Sequence, residues 1–339
     1  MKCCVPQLPL SRKQSIPVEQ LERRIVRKMG QAIGDHSLIE QGDRILVAVS
    51  GGKDSYTMLH GLELLRRRAP VSFSLLALNV HHGFAGFRAD RIEEHLSAEG
   101  FEHRMVRAEI SAVMEKVLRP DETRCSLCAR LRRGVLYTQA LALGCNKIAL
   151  GHHKDDLIET LLLNLFFTGQ LKSMPPWLRS DDGKNIVIRP LAYVDEPDIV
   201  QYARMKKFPV VCCACPACGT LDNLQRREIK KLLTGLESQH PGLKSSILKS
   251  MRQVVPTHLL DRSLMNRTDT LDRTSTEPTP DAHHQPLAGE EQVRRRVRET
   301  LEKCMPGGGY CLGTGNSVAN YIPLDNYLAM MDEGRRYSA

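Results

Sequence analysis

No stretch of this 339-residue chain is apolar for long enough to cross a bilayer. The longest such run, Leu157 to Phe167, is far short of a span and contains Glu159. The opening Met1-Lys2-Cys3-Cys4-Val5 lacks the apolar core of a secretory signal. A soluble, cytoplasmic protein without a membrane partner is therefore expected. Acidic residues are in deficit, with 39 Asp plus Glu against 48 Lys plus Arg and a formal net charge of +9. Basic clusters fall at Arg66-Arg67-Arg68, Arg130-Leu131-Arg132-Arg133, Arg226-Arg227 and Lys230-Lys231. This balance suits a polyanion such as RNA, and equally a plain solvated basic surface. Internal repeats are also missing.

Cysteine is not scarce. Eleven thiols in a chain read as intracellular are poor candidates for disulfide staples. They cluster instead, as Cys125 and Cys128, then Cys212, Cys213, Cys215 and Cys218. Paired C-x-x-C spacing points to metal. Cys145 lies in an Ala/Leu-rich run and is expected in the core, while Cys3, Cys4, Cys304 and Cys311 carry no readable role.

From Asp43 onward the pattern alternates strand and helix. Strands are expected at Ile45–Val49, Phe73–Val80, His103–Ala108, Lys147–Gly151 and Ile186–Arg189. Helices are expected at Tyr56–Arg67, Arg88–Glu99, Cys128–Leu143, Asp155–Phe167 and Glu196–Met205, the last with Pro197 in its first turn. This predicts an α/β fold, a doubly wound parallel sheet with helices on both faces and ligands at the carboxyl ends of the strands. An amphipathic helix, Pro17–Ile33, precedes it inside an N-terminal extension over 1–40. The sheet domain is expected over 41–212 and a helical, cysteine-bearing segment over 213–262, with two helices broken near His240-Pro241-Gly242. A Thr-, Asp-, Pro- and His-rich linker over 263–289 and an appended tail over 290–339 complete the division.

Three constellations carry chemistry. Ser50-Gly51-Gly52-Lys53-Asp54-Ser55 stands between a strand and a helix. Such a turn offers backbone N–H groups and a helix dipole to an anion, and its glycines admit phosphate oxygens closely. Ser50 and Ser55 add hydroxyl donors, Lys53 a cation, and Asp54 a carboxylate for magnesium. Gly151-His152-His153-Lys154-Asp155-Asp156 lies at another strand end. Asp155 or Asp156 can cap the helix there or bind magnesium, and the histidines can contact phosphate or move a proton. Cys125-Ser126-Leu127-Cys128 enters a helix among arginines, which favours thiolate. Cys215-Pro216-Ala217-Cys218 supplies either a third ligand for an iron–sulfur cluster with one open iron or the remainder of a closed zinc site. Spacing alone does not choose.

The six-residue string is the S-G-G-x-D-S signature of the PP-loop ATP pyrophosphatases, and differs from the P-loop pattern. With Cys125-Ser126-Leu127-Cys128, Lys147 through His153, Asp155-Asp156, Ser180-Asp181-Asp182-Gly183-Lys184, Ile188-Arg189-Pro190-Leu191, Cys218-Gly219 and Asn223-Leu224-Gln225-Arg226, the chain resembles the TtcA family over about residues 20–262. That resemblance implies a cytoplasmic, ATP-dependent enzyme that thiolates cytidine 32 of tRNA. It implies ATP, magnesium and a [4Fe-4S] cluster, and sulfur from a cysteine desulfurase or other donor. A homodimer is compatible with it. Carried over by motif, Lys53 and Asp54 are catalytic and Cys125, Cys128 and Cys218 are cluster ligands, with Cys215 competing for the third place. Asn79-Val80-His81-His82 departs from the family, where an acidic residue is expected. The segment Glu291–Ala339 resembles only the terminal part of uroporphyrinogen-decarboxylase-like proteins, too little to form their barrel. In the implied reaction ATP adenylates cytosine O2, sulfur then attacks C2, and AMP leaves. Thiolation of a uridine, or ligation of an amine, with structural zinc is the alternative. A non-enzymatic RNA-binding protein is a third reading, which the intact Ser50–Ser55 string opposes.

Overall fold

A computed structural model describes residues 16–117, 124–180, 182–215 and 224–260, together with residues 291, 294 and 295. Cys218 and nearly all of the 263–339 segment lie outside the described residues, as do Cys3, Cys4, Cys304 and Cys311. The chain divides into two units, 1–254 and 255–339, and the first holds the sheet and the nine α-helices named below.

The centre of the sheet is β1 (Arg44–Ala48), whose Ile45, Leu46 and Val47 are buried on both faces. Such a continuous apolar run fits a strand covered by helices above and below. It pairs in parallel with β2 (Ser74–His81) on one side and β4 (Lys147–Ala149) on the other. β3 (His103–Arg107) extends the sheet beyond β2, and β6 (Ile186–Ile188) extends it beyond β4, all parallel. A short antiparallel edge strand, β5 (Trp177–Arg179), closes the order β3-β2-β1-β4-β6-β5. The expected doubly wound architecture is present, with β5 added. β5 was invisible to pattern reading because its three residues are all exposed and show no alternation.

Side chains sort by the period of two. Ile45, Val47, Leu75 and Ala77 face a layer built by α1 (Val18–Asp35), α2 (Lys53–Arg66), α3 (Ala89–Ala98) and α7 (Glu196–Met205). Leu46, Leu76, Leu78, Val80 and Ile148 face α4 (Ile110–Val117) and α5 (Arg124–Ala142), where Cys145 is buried as expected. α1 presents Leu21, Ile25, Met29 and Ala32 on one buried face. Its close approach to α2 depends on Gly61, since a Cβ there would lie 2.3 Å from the Met29 sulfur. α6 (Lys154–Phe167) follows β4 and carries Ile158 into a cluster with Ile229 and Leu233 of α8 (Leu224–Gln239). Leu248 and Met251 of α9 (Leu243–Arg252) pack there too. The two C-terminal helices are thus docked on the helix that opens at His153. Among the described residues no helix is long and apolar enough to cross a membrane.

Candidate nucleotide and thiol site

The chain leaves β1 at Val49, whose N–H donates to the Leu78 carbonyl at 2.9 Å while its carbonyl accepts from Asn79 Nδ2 at 2.7 Å. Fixed on both sides, it turns through Ser50, Gly51 and Gly52 directly into α2. The helix starts at Lys53, three residues earlier than the apolar pattern suggests, so Lys53, Asp54 and Ser55 occupy its first turn. Among the described residues no side chain caps that turn, and its N–H donors remain available to an anion. Ser55 Oγ donates to the Gly52 carbonyl at 2.8 Å, and Gly52 N–H donates to Ser50 Oγ at 3.3 Å.

Gly51 has φ +81°, and a Cβ there would lie 2.3 Å from Val211 Cγ2 and 2.7 Å from Ile92 Cδ1. Val211 N–H donates to the Gly51 carbonyl at 3.0 Å. The turn is therefore a cradle without room for a side chain, and the thiol-rich segment starts one residue after the hydrogen bond. In that segment Cys213 and Cys215 bring their sulfurs to 3.5 Å.

One glycine brings the second constellation in. A Cβ on Gly151 would lie 3.2 Å from the backbone of Asp54 and Ser55, so the β4–α6 turn closes directly on α2. His153, and neither aspartate, is the N-cap of α6. Its Nδ1 accepts from Asp156 N–H at 3.4 Å, and Asp156 Oδ2 accepts from His153 N–H at 3.0 Å. His153 Nε2 lies 3.6 Å from Asp54 and 3.5 Å from Asp156, and so stands between the two carboxylates. Asp155 is committed elsewhere: it is buried and accepts from Glu196 N–H at 2.8 Å and Lys244 Nζ at 2.6 Å. His152 Nδ1 accepts from Arg189 Nε at 3.3 Å. Burial, then the Arg189 charge, pushes the His152 pKa down to about 4, leaving a neutral ring.

Lys53 Nζ lies 2.8 Å from Asp54 Oδ1 and 3.4 Å from Glu196 Oε1. Burial works against its charge, but Asp54 and Glu196 outweigh it and raise the pKa. Glu196, at the first turn of α7, also receives Lys230 at 2.5 Å. Arg226 reaches Glu159 at 3.4 Å and Asp156 at 3.7 Å. The sequence reading missed Glu196 and Glu159 as site groups. The available signal for Glu196 was its place at a helix start just after β6.

α5 begins at Arg124, a turn earlier than the pattern suggests, so Cys125 and Cys128 both lie within the first two turns of a helix. The Cys125 side chain and Cys218 lie outside the described residues. Cys128 is half-buried against the cluster that includes Leu127, Leu131 and Phe84. After β2, where an acidic residue is expected, His82 is buried with its ring 4.4 Å from Phe87 and 5.1 Å from Phe84. Burial, then Arg132, holds it neutral, with a pKa of about 4. Among the described residues no three His, Cys, Asp or Glu side chains gather as a ready metal cage.

Residues 21–213 match the PP-loop domain family. The chain is 54% identical over 244 residues to the tRNA-cytidine(32) 2-sulfurtransferase of Geotalea uraniireducens (strain Rf4), covering 72% of this chain and 96% of that protein. It is 48% identical over 265 residues to the enzyme of the same name from Anaeromyxobacter sp. (strain K), covering 78% and 90%. Among solved structures it is similar to the U34-tRNA thiolase NcsA from Methanococcus maripaludis with its [4Fe-4S] cluster. That likeness has a TM-score of 0.56 and 23% identity over 70% of this chain and 79% of the other, and it concerns the fold. A glycine cradle at the end of β1, closed by the β4–α6 turn, and near-complete coverage of these relatives place the chain in the tRNA-cytidine(32) 2-sulfurtransferase family of PP-loop proteins.

Proposed function

We propose that the protein is an ATP-dependent sulfurtransferase that replaces O2 of cytidine 32 in tRNA with sulfur. The observation that carries this reading is the uncapped glycine turn at Ser50–Ser55, with Lys53, Asp54 and Asp156 gathered around it and a thiol-rich segment bonded to it. The names of the relatives favour cytidine over a uridine or amine acceptor.

The residues fit a magnesium nucleotide. The glycine turn leaves the first-turn N–H groups of α2 uncapped for phosphate oxygens, and Asp54 and Asp156 are hard oxygen donors on either side of the His153 ring. Magnesium on these carboxylates would neutralise charge on the phosphates. Asp155 positions rather than ligates, since it ties α6 to α7 and α9. The thiols fit an iron–sulfur cluster in donor type, with Cys125, Cys128 and Cys218 as its holders. Held by three thiolates, such a cluster would supply an iron open to a sulfur ligand.

In the reaction, cytosine O2 attacks the α-phosphorus of ATP. The O2–P bond forms, the bond to the β-phosphate breaks, and pyrophosphate leaves. Ser50, Ser55 and the first-turn N–H groups of α2 hold its oxygens, and Lys53 offsets the growing charge. Because His152 Nδ1 accepts from Arg189, the neutral ring carries its proton on Nε2 and can donate it to a phosphate oxygen. Sulfur then adds to C2, either as hydrosulfide or as the outer sulfur of a persulfide from a cysteine desulfurase, in which case an external dithiol reductant supplies the two electrons that cleave the S–S bond. AMP departs with the former O2, so the base undergoes no net oxidation. The target base must be exposed from the loop for this attack, and Arg130, Arg132, Arg133 and the basic face of α1 suit tRNA phosphates.

The test is tRNA-dependent conversion of ATP to AMP and pyrophosphate by anaerobically purified protein, with nucleoside mass spectrometry of the tRNA. Asp54→Ala and Cys125→Ala are expected to abolish 2-thiocytidine, and wild-type yields from either variant would refute the assignment. Iron, sulfide and zinc analysis of the same preparation is expected to give iron and sulfide, whereas a colourless, zinc-replete protein would support a structural-zinc reading.

A further inference from the structure

Four carboxylates and three cations surround the mouth of the glycine turn: Asp54, Asp156, Glu159 and Glu196 against Lys53, Arg226 and Lys230. The carboxylates of Glu159 and Glu196 are buried, with side chains 6% and 11% exposed. The two α8 cations that reach them are open to solvent, at 43% and 44%. Arg226 and Lys230 stand four residues apart, on one face of α8. Lys230 and Lys53 meet on opposite oxygens of Glu196, at 2.5 Å and 3.4 Å. Arg226 lies 3.7 Å from Asp156, and the His153 ring stands between Asp156 and Asp54. Lys230 is therefore one carboxylate away from Lys53 of the phosphate-binding turn, and Arg226 is separated from Asp54 by the Asp156 carboxylate and the His153 ring. Arg227 and Lys231, next to them in sequence, are exposed, and no ion pair of theirs is seen among the described residues.

Asp54 and Asp156 would hold a divalent ion, and Asp156 would then leave Arg226; the added charge would turn a site with one excess negative charge into one with an excess positive charge. The released guanidinium and the Lys230 ammonium then face an anion brought in with the metal. We propose that Arg226 and Lys230 form a second cationic arm of the site. It exchanges Asp156 and Glu196 for the oxygens of the two terminal phosphates of the nucleotide, and holds the pyrophosphate they become. α8 thereby couples the C-terminal helices to nucleotide occupancy. This rests on the ATP-dependent reading above.

The test is calorimetric titration of the full-length protein with magnesium pyrophosphate, at one fixed ionic strength. Arg226→Gln and Lys230→Gln are each expected to weaken binding about tenfold, and the pair about a hundredfold. Arg226→Lys restores most of the affinity lost in Arg226→Gln. Arg227→Gln with Lys231→Gln removes the same net charge one residue along the helix and is expected to change affinity less than about threefold. Because Arg226→Gln leaves buried Glu159 uncompensated, Arg226→Gln with Glu159→Gln is measured as well. It should melt like the wild type and still bind weakly. Equal losses in Arg226→Gln with Lys230→Gln and in Arg227→Gln with Lys231→Gln, or unchanged affinity in Arg226→Gln with Lys230→Gln, would overturn the arm while leaving the turn's role intact. A wild-type protein that binds neither magnesium pyrophosphate nor magnesium ATP would overturn the ATP-dependent reading and the arm with it.

Discussion

Gly51→Ala is a demanding test of the cradle. The residue sits at φ +81°, where an L side chain costs about 1–2 kcal/mol. The added methyl would stand 2.3 Å from Val211 Cγ2 and 2.7 Å from Ile92 Cδ1, both in packed surroundings and neither at the end of a long flexible chain. Overpacking of this kind costs about 1–3 kcal/mol, giving a total of about 2–5 kcal/mol. At about 2–4 °C per kcal/mol for a domain of this size, Tm falls by roughly 4–20 °C. Relief by displacement of Val211 breaks its hydrogen bond to the Gly51 carbonyl and shifts Cys213 and Cys215, so thiolation falls further than stability alone explains. Urea denaturation of Gly51→Ala, Val211→Ala and the double variant measures the coupling. The account expects the double variant to recover at least about 1 kcal/mol over the sum of the single changes. Additive losses would refute the steric argument.

Other expectations follow from the same geometry. Lys147, buried at the start of β4, pairs with buried Asp43 at 2.8 Å and with the exposed carboxylate of Glu40 at 2.9 Å, so Asp43→Ala should cost about 3 kcal/mol in urea denaturation, Glu40 keeping part of the compensation. His60 is held near a pKa of about 4 by burial and by His95, whose Nε2 is 3.1 Å away. The unfolded chain binds more protons between the two pKa values, so stability is full above about pH 6.5 and falls as pH drops toward 4. His60→Gln should flatten that fall, as read from urea midpoints at pH 7 and pH 5. Cys128→Ser should lose bound iron and 2-thiocytidine while keeping magnesium pyrophosphate affinity within about twofold of wild type, because the phosphate cradle lies on α2 rather than α5.

Much of this was legible in sequence, and the exceptions have physical causes. The apolar run Ile45–Val47 and the glycine pair announced β1 and its turn, because a fully buried parallel strand needs no alternation. The start of α2 was read late, since Lys53, Asp54 and Ser55 are polar and owe their place to a backbone turn rather than to an apolar face. α5 was read late for the same reason at Arg124. α4 spans only eight residues, too few for its Ile110 and Met114 to stand out. His153 took the cap expected of an aspartate because Asp156 answered its N–H from the third position of the helix. The site groups missed, Glu159 and Glu196, are carboxylates that function through partners distant in sequence, 67 and 34 residues away at Arg226 and Lys230. No local pattern encodes such a pairing.

The most direct measurement is mass spectrometry of tRNA nucleosides from a strain lacking this gene and complemented with the chain or its Asp54→Ala form. The wild-type chain should restore 2-thiocytidine at position 32 and the variant should not. Complementation that leaves position 32 unthiolated, or thiolation that survives without the Asp54 carboxylate, would contradict a reaction begun by ATP at the Ser50 turn.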